Sequence, residues 1–440
     1  MAKVQLITMG CSKNRVDSEH LLRQMAAAGW EISPEGENLA SAGVDTVLIN
    51  TCGFIGDAKE ESIEMILQAA RAKGEGQIRR LFVFGCLAQR YARELPELLP
   101  EVDGFFGAAD TAGILAALGV AGRADLRARR HLTTPSHYAY LKIAEGCDRR
   151  CSYCAIPLIR GPHVSVPMEQ LVDEAQSLAA AGVKELIAIA QDTTWYGLDL
   201  YGRRMLAPLL EKLAQIPGIE WIRLHYSYPD GFPEEVLDLM ATEPKLCKYL
   251  DIPLQHIADP VLKAMRRSTT GAEIRALIEK IRRKVPGVVL RTTLMVGHPG
   301  EDEAAFAELL DFVREARFER LGAFQYSEEE GTWGAENLKD EVPPEVKQER
   351  YDRLMELQSA ISAEYNRSRI GTTARVLFDS VSDGVLTGRS QGESPEVDGE
   401  ILVSEAEFRA RGLQSSQIIG TFANCKIAAA GEYDLLGEPL

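Results

Sequence analysis

The feature that most constrains this chain is a run of three cysteines, Cys147, Cys151 and Cys154, which directly follows a strand-like apolar segment. Three thiolates this close together favour an iron–sulfur cluster or zinc. A structural zinc site would need a fourth ligand at finger-like spacing, and His163 lies nine residues beyond Cys154. The run therefore predicts a cluster with one iron left open, with zinc or a redox dithiol as the alternative.

The residues around this run predict a barrel-like α/β domain. Strand patterns alternate with helical patterns such as Pro167–Ala181 and Thr270–Val285. The predicted strands are Tyr140–Ala144, Glu185–Ala190, Trp221–Tyr226, Tyr249–Ile252, Val288–Val296 and Leu321–Tyr326. Six such units predict a full or partial parallel barrel. The cysteine run then lies at the carboxyl ends of the strands, where such folds build their active sites.

Three further cysteines each end a predicted strand near the beginning of the chain. These strands alternate with helical patterns, which predicts a parallel sheet covered by helices, and they are Val4–Met9, Val44–Asn50 and Leu81–Phe84. Cys11, Cys52 and Cys86 follow them, each beside a glycine. Neighbouring parallel strands end at one edge, so we expect the three thiols to converge and hold a second cluster. Ordinary core cysteines are the alternative, and that is the interpretation we prefer for Cys247 and Cys425.

The end of the chain has a different pattern. Pro343–Ile370 predicts one long charged helix, and short strand patterns with glycine-rich turns follow Gly371. Those strands are Ala374–Phe378, Gly384–Arg389, Glu400–Val403 and Ile418–Ala428. They predict a small all-β barrel. The predicted domains are residues 1–118, 133–370 and 371–440, with 119–132 as a linker.

Charge and hydropathy narrow the class of protein. A net charge of −16 argues against nucleic-acid binding by overall charge and suits a basic partner. Apolar runs stay shorter than the ~18 residues of a membrane span, and the start MAKVQLITMG lacks the features of a signal peptide. We therefore expect a cytoplasmic protein without a membrane partner.

The chain resembles the methylthiotransferase family of radical S-adenosylmethionine (SAM) enzymes over essentially its whole length. The matching blocks are GCSKNRVDSE at 10–19, NTCGFI at 50–55, CDRRCSYCAIPLIRG at 147–161, AQDTT at 190–194, PLQH at 253–256, RTTLMVGHPGE at 291–301 and YSEEEGT at 326–332. The runs PEVDGEILV at 395–403 and EYDLLG at 432–437 are similar to a TRAM domain. The resemblance implies an N-terminal parallel-sheet α/β domain, a central radical SAM partial barrel and a C-terminal TRAM barrel.

The resemblance also implies two [4Fe-4S] clusters and SAM as cofactors. Cys147, Cys151 and Cys154 would hold the cluster that binds and cleaves SAM. Cys11, Cys52 and Cys86 would hold a second cluster that carries the sulfur to be delivered, and a second SAM would supply the methyl group. An electron donor of the flavodoxin or ferredoxin type and a sulfur source are the implied partners.

Five residues are the implied SAM neighbours, with ordinary structural roles as alternatives. Gln191 and Asp192 would bind the methionine amino group, although Asp192 also suits a helix cap. Val296 and Gly297 would flank the adenine, although packing accounts for them equally well. Tyr153 would shield the cluster from water. The acidic residues Glu328, Glu329 and Glu330 suit either a substrate contact or a solvated loop.

Within the family, GCSKN and YSEEEGT resemble the branch that modifies the β-carbon of an aspartate in ribosomal protein S12. The tRNA-modifying, MiaB-like branch usually carries GCQMN, and it is the alternative. A non-catalytic cluster carrier or zinc-binding protein is a third possibility. The chain departs from the family at Val166 and His298, where the family usually has Arg and Phe, and in CDRRC, which replaces the commoner CDHKC.

The acidity of the last domain agrees with a protein substrate. After Thr373 there are six more carboxylates than basic residues, which makes tRNA a poor partner and a basic ribosomal protein a suitable one. We expect exposed carboxylates at Glu393, Glu396 and Glu400 to dock this partner.

Overall fold

The computed structural model describes residues 2–36 and 43–440. Its first domain contains a five-stranded parallel sheet with the strand order β2-β1-β3-β4-β5. The strands are β1 (Lys3–Thr8), β2 (Glu31–Ser33), β3 (Thr46–Thr51), β4 (Arg80–Gly85) and β5 (Gly104–Phe106). Because β1, β3 and β4 are neighbours, the cysteines that follow them lie at one edge of the sheet.

Helices cover both faces of this sheet. They are α1 (Ser12–Ala27), α2 (Gly56–Gly74), α3 (Cys86–Arg90), α4 (Leu95–Leu98) and α5 (Thr111–Ala117). Leu22 of α1 and Ile114 of α5 pack on one face, whereas Ile66 of α2 packs on the other. The last of these helices ends at Ala117, and Gly119, which follows it, adopts a left-handed φ of 71°.

The central domain is built on an open six-stranded parallel sheet, with β6 and β13 at its two edges. In spatial order the strands are β6 (Tyr138–Lys142), β9 (Glu185–Ile189), β10 (Trp221–Leu224), β11 (Leu246–Asp251), β12 (Val289–Val296) and β13 (Arg320–Gln325). A short antiparallel pair, β7 (Ala144–Glu145) and β8 (Val164–Ser165), closes the base of the loop that carries the cysteine run. The domain is therefore a partial barrel.

The helices of the central domain lie on the outer face of this barrel and in its loops. They are α6 (Ile156–Arg160), α7 (Met168–Ala180), α8 (Leu198–Tyr201), α9 (Leu206–Ala214), α10 (Glu234–Thr242), α11 (Asp259–Ala264), α12 (Gly271–Lys284), α13 (Glu303–Ala316), α14 (Trp333–Asn337) and the long α15 (Pro344–Ser368). The longer helices bury the outer face, and the short helices α6, α8 and α14 lie in the loops at the strand ends. Alternate strand residues, such as Leu186, Ile222 and Leu290, form the core beneath the longer helices. The intervening strand residues point to the opposite, inner face.

The last domain is a closed five-stranded barrel with the order β14-β15-β16-β18-β17. Its strands are β14 (Thr373–Ser382), β15 (Val385–Arg389), β16 (Ile401–Ser404), β17 (Phe422–Ala430) and β18 (Leu435–Pro439), with the short helices α16 (Glu405–Ala410) and α17 (Ser415–Ile418). Together, the two parallel sheets and this barrel confirm the predicted fold class. Cys425 lies in the core of the small barrel, and Cys247 is buried beside Trp221.

A segment between β15 and β16, residues 389–398, inserts its side chains against the inner face of the central barrel. Its contacts are Arg389 with Glu185 at 2.7 Å, Glu393 with Arg320 at 3.0 Å, Ser394 with His225 at 2.9 Å, Glu396 with Tyr140 at 2.9 Å, and Asp398 with Tyr249 at 2.7 Å. Arg223 also donates to the carbonyl of Gln391 at 2.8 Å. We call residues 389–398 the plug segment.

The plug segment corrects one expectation about charge. Glu393, which we expected to be an exposed docking carboxylate, is 1% exposed and also pairs with Arg369. Burial alone would raise its pKa, but the guanidinium groups of Arg369 and Arg320 lower it to about 2. Part of the acidity counted from the sequence is therefore internal, where it neutralises arginines of the barrel.

Among the described residues, the structure has no helix that is long and apolar enough to cross a membrane.

Candidate active site

The three N-terminal thiols gather at the carboxyl edge of the first sheet, and glycines make their approach possible. A Cβ atom added to Gly10 would lie 2.9 Å from the Sγ of Cys52, and one added to Gly53 would lie 2.8 Å from the backbone of Leu87. Cys11 precedes the first residue of α1, and Cys86 begins α3. Any larger residue at 10 or 53 would therefore separate the strand ends that bring these thiols together.

Burial is the main reason that the pKa of the Cys86 thiol rises to about 11; Arg160 opposes the rise, and the nearby thiols of Cys11 and Cys52 add to it. Burial likewise raises the pKa of Cys52. Without a metal these thiols stay protonated, and binding iron would convert them to thiolates. The strand ends therefore bring the three thiols near enough to influence one another.

The cysteine run of the central domain lies in the loop between β7 and β8. The Cys147 amide donates to Gly161 at 3.1 Å, which closes the loop, and the Cys154 amide donates to Cys151 at 3.2 Å, which curls it. Burial raises the pKa of Cys147 to about 12, and the Asp192 carboxylate and the Cys151 thiol add to the rise. Burial is also the main reason that the pKa of Cys154 rises, and the thiols of Cys151 and Cys147 add to the rise. This loop thus gathers its three thiols much as the first sheet does.

His298 and Ser152 fix the middle of this loop. The imidazole Nδ1 is 2.9 Å from the carbonyl of Pro299, which can only accept, so Nδ1 carries the hydrogen. Burial lowers the pKa of His298 to about 4, so the ring is neutral and its Nε2 accepts from the Ser152 hydroxyl at 3.3 Å. This departure from the family thus supports the cluster loop. Val166 packs against the barrel core, and its amide donates to Ile143 at 2.9 Å.

Gln191 and Asp192 lie at the carboxyl end of β9, near Cys147. The Gln191 amide donates to Glu145 at 2.7 Å, and its buried Oε1 has no hydrogen-bond partner among the described residues. Asp192 accepts from the backbone of Thr194 at 2.9 Å and from Arg149 at 2.9 Å. Asp192 therefore does cap the following turn, whereas Gln191 keeps an acceptor free.

The other predicted SAM neighbours have different surroundings. Tyr153 is half-buried, accepts from Arg267 at 3.3 Å and lies edge-on to His298. Val296 is buried in the barrel core, and a Cβ atom at Gly297 would meet the stem of Lys347 at 2.3 Å. These contacts agree with the packing alternative for Val296 and Gly297, and their place beside the adenine stays a prediction.

The acidic loop after β13 docks onto the first domain. Glu329 is 3% exposed and pairs with both Lys59 and Arg90 at 2.8 Å. Glu328 and Glu330 are exposed. Glu329 therefore joins two domains, and its side chain is neither solvated nor free to contact a substrate.

The two cysteine sets adjoin one another through residues that sequence reasoning missed. Cys86 packs against Ala155 and Ile159, which follow the central cysteine run, and Arg160 donates to the Cys86 sulfur at 3.3 Å. Arg160 also pairs with Asp17 at 2.9 Å and Glu145 at 3.0 Å, and it donates to Asn14. Asn14 and Asp17 lie inside the block GCSKNRVDSE and Arg160 inside CDRRCSYCAIPLIRG, whereas Glu145 precedes Cys147 by two residues. The charges of Asp17, Glu145 and Arg160 near the cysteines were the available signal.

The donor set fits iron–sulfur chemistry and SAM. The described residues include no group of three or more His, Cys, Asp or Glu side chains arranged to hold a single metal ion. A four-iron cluster instead spreads its thiolates around a cube, and each set here offers three buried or half-buried thiols. The unpartnered Oε1 of Gln191 provides an acceptor for a cofactor amino group beside Cys147.

This partial barrel with a three-cysteine loop defines a radical SAM protein, a class that uses an iron–sulfur cluster and SAM. The Radical SAM superfamily model matches residues 141–313, a model described as uncharacterized protein family UPF0004 matches 3–107, and the TRAM domain model matches 370–440. The chain belongs to the RimO family of methylthiotransferases.

The relatives that show this family are similar over nearly their whole length. Ribosomal protein uS12 methylthiotransferase RimO from Bacteroides fragilis is 51% identical, with 99% of this chain and 98% of the relative covered. The protein of that name from Flavobacterium johnsoniae is 51% identical, with 99% and 98% covered. The tRNA-modifying branch is therefore not favoured, and a non-catalytic carrier does not fit the family.

Solved structures agree on the fold alone. The radical SAM methyltransferase TsrM from Kitasatospora setae, with cobalamin and a [4Fe-4S] cluster bound, has a TM-score of 0.55 at 15% identity, covering 88% of this chain and 77% of TsrM. The cobalamin-dependent radical SAM enzyme OxsB has a TM-score of 0.53 at 13% identity, covering 82% of this chain and 56% of OxsB.

Proposed function

We propose that this protein inserts a methylthio group at the β-carbon of one aspartate of ribosomal protein S12, which gives 3-methylthioaspartate. The observation that carries the proposal is the contact between the two cysteine sets, because Cys86 packs against the helix that follows Cys154. Hydrogen abstraction and sulfur delivery must act on the same carbon, so their sites have to adjoin. Relatives named for this activity, about 50% identical, support the substrate.

In this proposal, Cys147, Cys151 and Cys154 hold the cluster to which SAM binds. A bound cluster with SAM supplies one-electron cleavage of SAM, which allows hydrogen to be removed from a carbon too weakly acidic for a base. Gln191 accepts from the SAM amino group through its free Oε1. Tyr153 and the neutral His298 pack beside the loop and keep water out.

Cys11, Cys52 and Cys86 hold a second [4Fe-4S] cluster that carries the sulfur. Arg160 donates to the Cys86 sulfur and thereby partly neutralises the thiolate that iron binding creates. Glu145 stays ionised between Lys142 and Arg160: burial would raise its pKa, but these cations lower it to about 2. This network of paired charges holds the two cysteine sets at a fixed distance from one another.

Several features of the setting belong to the same proposal. The predicted domain boundaries, 1–118, 133–370 and 371–440 with a linker at 119–132, follow the three sheets. The enzyme works in the cytoplasm, where S12 is made. An electron donor of the flavodoxin or ferredoxin type reduces it, and a separate sulfur source restores it after each turnover.

Iron content tests the second cluster. The reconstituted protein is expected to bind about eight iron atoms per chain, as two cubane clusters require. Alanine at Cys11, Cys52 and Cys86 should lower the iron content to about four atoms per chain. Colorimetric iron analysis and the absorption band of the clusters at about 400 nm measure this change. A wild-type count near four that the substitutions leave unchanged would remove the second cluster.

Mass spectrometry tests the substrate. Anaerobic incubation with SAM, reductant and sulfide should add a methylthio group to an aspartate-containing peptide of S12 and leave unmodified tRNA unchanged. The same mass gain on a tRNA adenosine, with none on protein, would overturn the proposed function.

A further inference from the structure

Lys13 is a buried cation at the junction of the first domain and the barrel. It lies in the first turn of α1, two residues after Cys11, and is 8% exposed. Its ammonium nitrogen is 3.2 Å from the centroid of the Tyr226 ring. Tyr226 follows β10, and its carbonyl accepts from the backbone of Thr193 at 3.1 Å, two residues beyond Gln191. Lys13 therefore stands between the first cysteine set and the strand ends that surround the SAM site.

Within residues 2–36 and 43–440, no carboxylate forms an ion pair with Lys13. Asp17, one turn along α1, is paired with Lys142 and Arg160, and Asp251, which accepts from the Tyr226 amide at 3.0 Å, is paired with Arg291. Asp17 and Asp251 are thus both paired with other cations, as buried charges usually are.

The other neighbours of Lys13 do not replace an anion. His225 is neutral, because burial lowers its pKa to about 3, with Lys13 among the cations that lower it further. The Tyr226 ring gives a cation–π contact, which only partly offsets the removal of an ammonium group from water. Among the described residues, the Lys13 ammonium therefore lacks an anionic partner.

We propose that Lys13 binds the side-chain carboxylate of the aspartate that this enzyme modifies. The inference rests on the proposed function, in which the substrate side chain is itself an anion. The reacting β-carbon is bonded directly to that carboxylate, so a carboxylate held by Lys13 places the carbon beside the Cys11 end of the second cluster site. An amide in place of the carboxylate has no charge to pair with the Lys13 ammonium, so it is bound less well.

The test compares two S12 peptides, one with the target aspartate and one with asparagine in its place. Their affinities for the anaerobically reconstituted protein are measured by fluorescence anisotropy. Wild-type protein should prefer the aspartate peptide by about ten- to hundredfold, as expected for a charge-assisted hydrogen bond. Lys13→Met, which keeps the length and removes the charge, should bind the two peptides equally. Arg15→Met, on the same helix, is the control and should keep the preference.

Each outcome decides for or against Lys13. Lys13→Arg keeps the positive charge and should keep part of the preference, so it carries the test if Lys13→Met does not fold. An unchanged preference in Lys13→Met would overturn the inference. So would a loss of SAM affinity, which would assign Lys13 to the SAM carboxylate. If wild-type protein cleaves SAM but modifies neither peptide, the proposed function itself fails, which is a different result.

Discussion

Alanine at Cys147, Cys151 and Cys154 is expected to abolish 5′-deoxyadenosine formation, by more than about a hundredfold, because SAM then has no cluster to bind. Alanine at Cys11, Cys52 and Cys86 is expected to leave SAM cleavage within a few-fold of wild type and to eliminate methylthiolated product. The two sets lie on separate sheets and adjoin one another through α3 and α6, so each can be emptied while the other keeps its fold. Liquid chromatography of nucleosides and mass spectrometry of the peptide measure the two effects separately.

The control for this comparison is the pair Cys247 and Cys425, which are buried and belong to neither set: Cys247 lies beside Trp221, and Cys425 lies in the core of the small barrel. Alanine at both positions should preserve iron content and both activities, at a stability cost of about 1 kcal/mol each. If both triple variants still form 5′-deoxyadenosine, the roles given to the two cysteine sets are wrong.

Glu393→Lys is expected to destabilise the protein by about 3–5 kcal/mol, because it removes a buried carboxylate and adds a third cation beside Arg320 and Arg369. The melting temperature measured by differential scanning fluorimetry should fall by about 10 °C. Glu432→Lys, an equal charge reversal on an exposed residue of the same domain, should change stability by less than about 0.5 kcal/mol.

This comparison separates a structural role of Glu393 from a docking role. If Glu393→Lys melts like Glu432→Lys but binds the S12 peptide more weakly, Glu393 faces the solvent and docks the substrate. The structure instead predicts that a loss of peptide binding follows the loss of folded protein.

Much of the architecture was predictable because long strands show a clear apolar pattern in the sequence. Val289–Val296 differs by one residue from its predicted start, and Arg320–Gln325 is shifted by one. The strands that sequence reasoning missed are short or lie at an edge: Glu31–Ser33, Gly104–Phe106 and Leu435–Pro439. Three to five residues carry too little alternation to stand out from a loop.

The site shows a similar division. The convergence of Cys11, Cys52 and Cys86 followed from parallel-strand geometry, which is a property of the fold class. The burial of Glu393 could not be predicted in this way. Its partner Arg320 is 73 residues away, and nothing in the local sequence distinguishes a paired carboxylate from a solvated one. Lys13 was overlooked for the same reason, since burial and the absence of a described partner are properties of the assembled domains.

The plug segment also has a consequence for the order of folding. Chains grow from the amino terminus, so Arg320 is synthesised long before Glu393 of the plug segment, the carboxylate that neutralises it. Until that segment emerges, the guanidinium group of Arg320 on the inner face lacks this carboxylate, and Arg223 and Tyr249 lack the oxygen atoms of the plug segment to which they donate. The middle of this protein therefore reaches its final stability only after its end has been translated, and a nascent chain interrupted before residue 389 should be a preferred target for proteolysis.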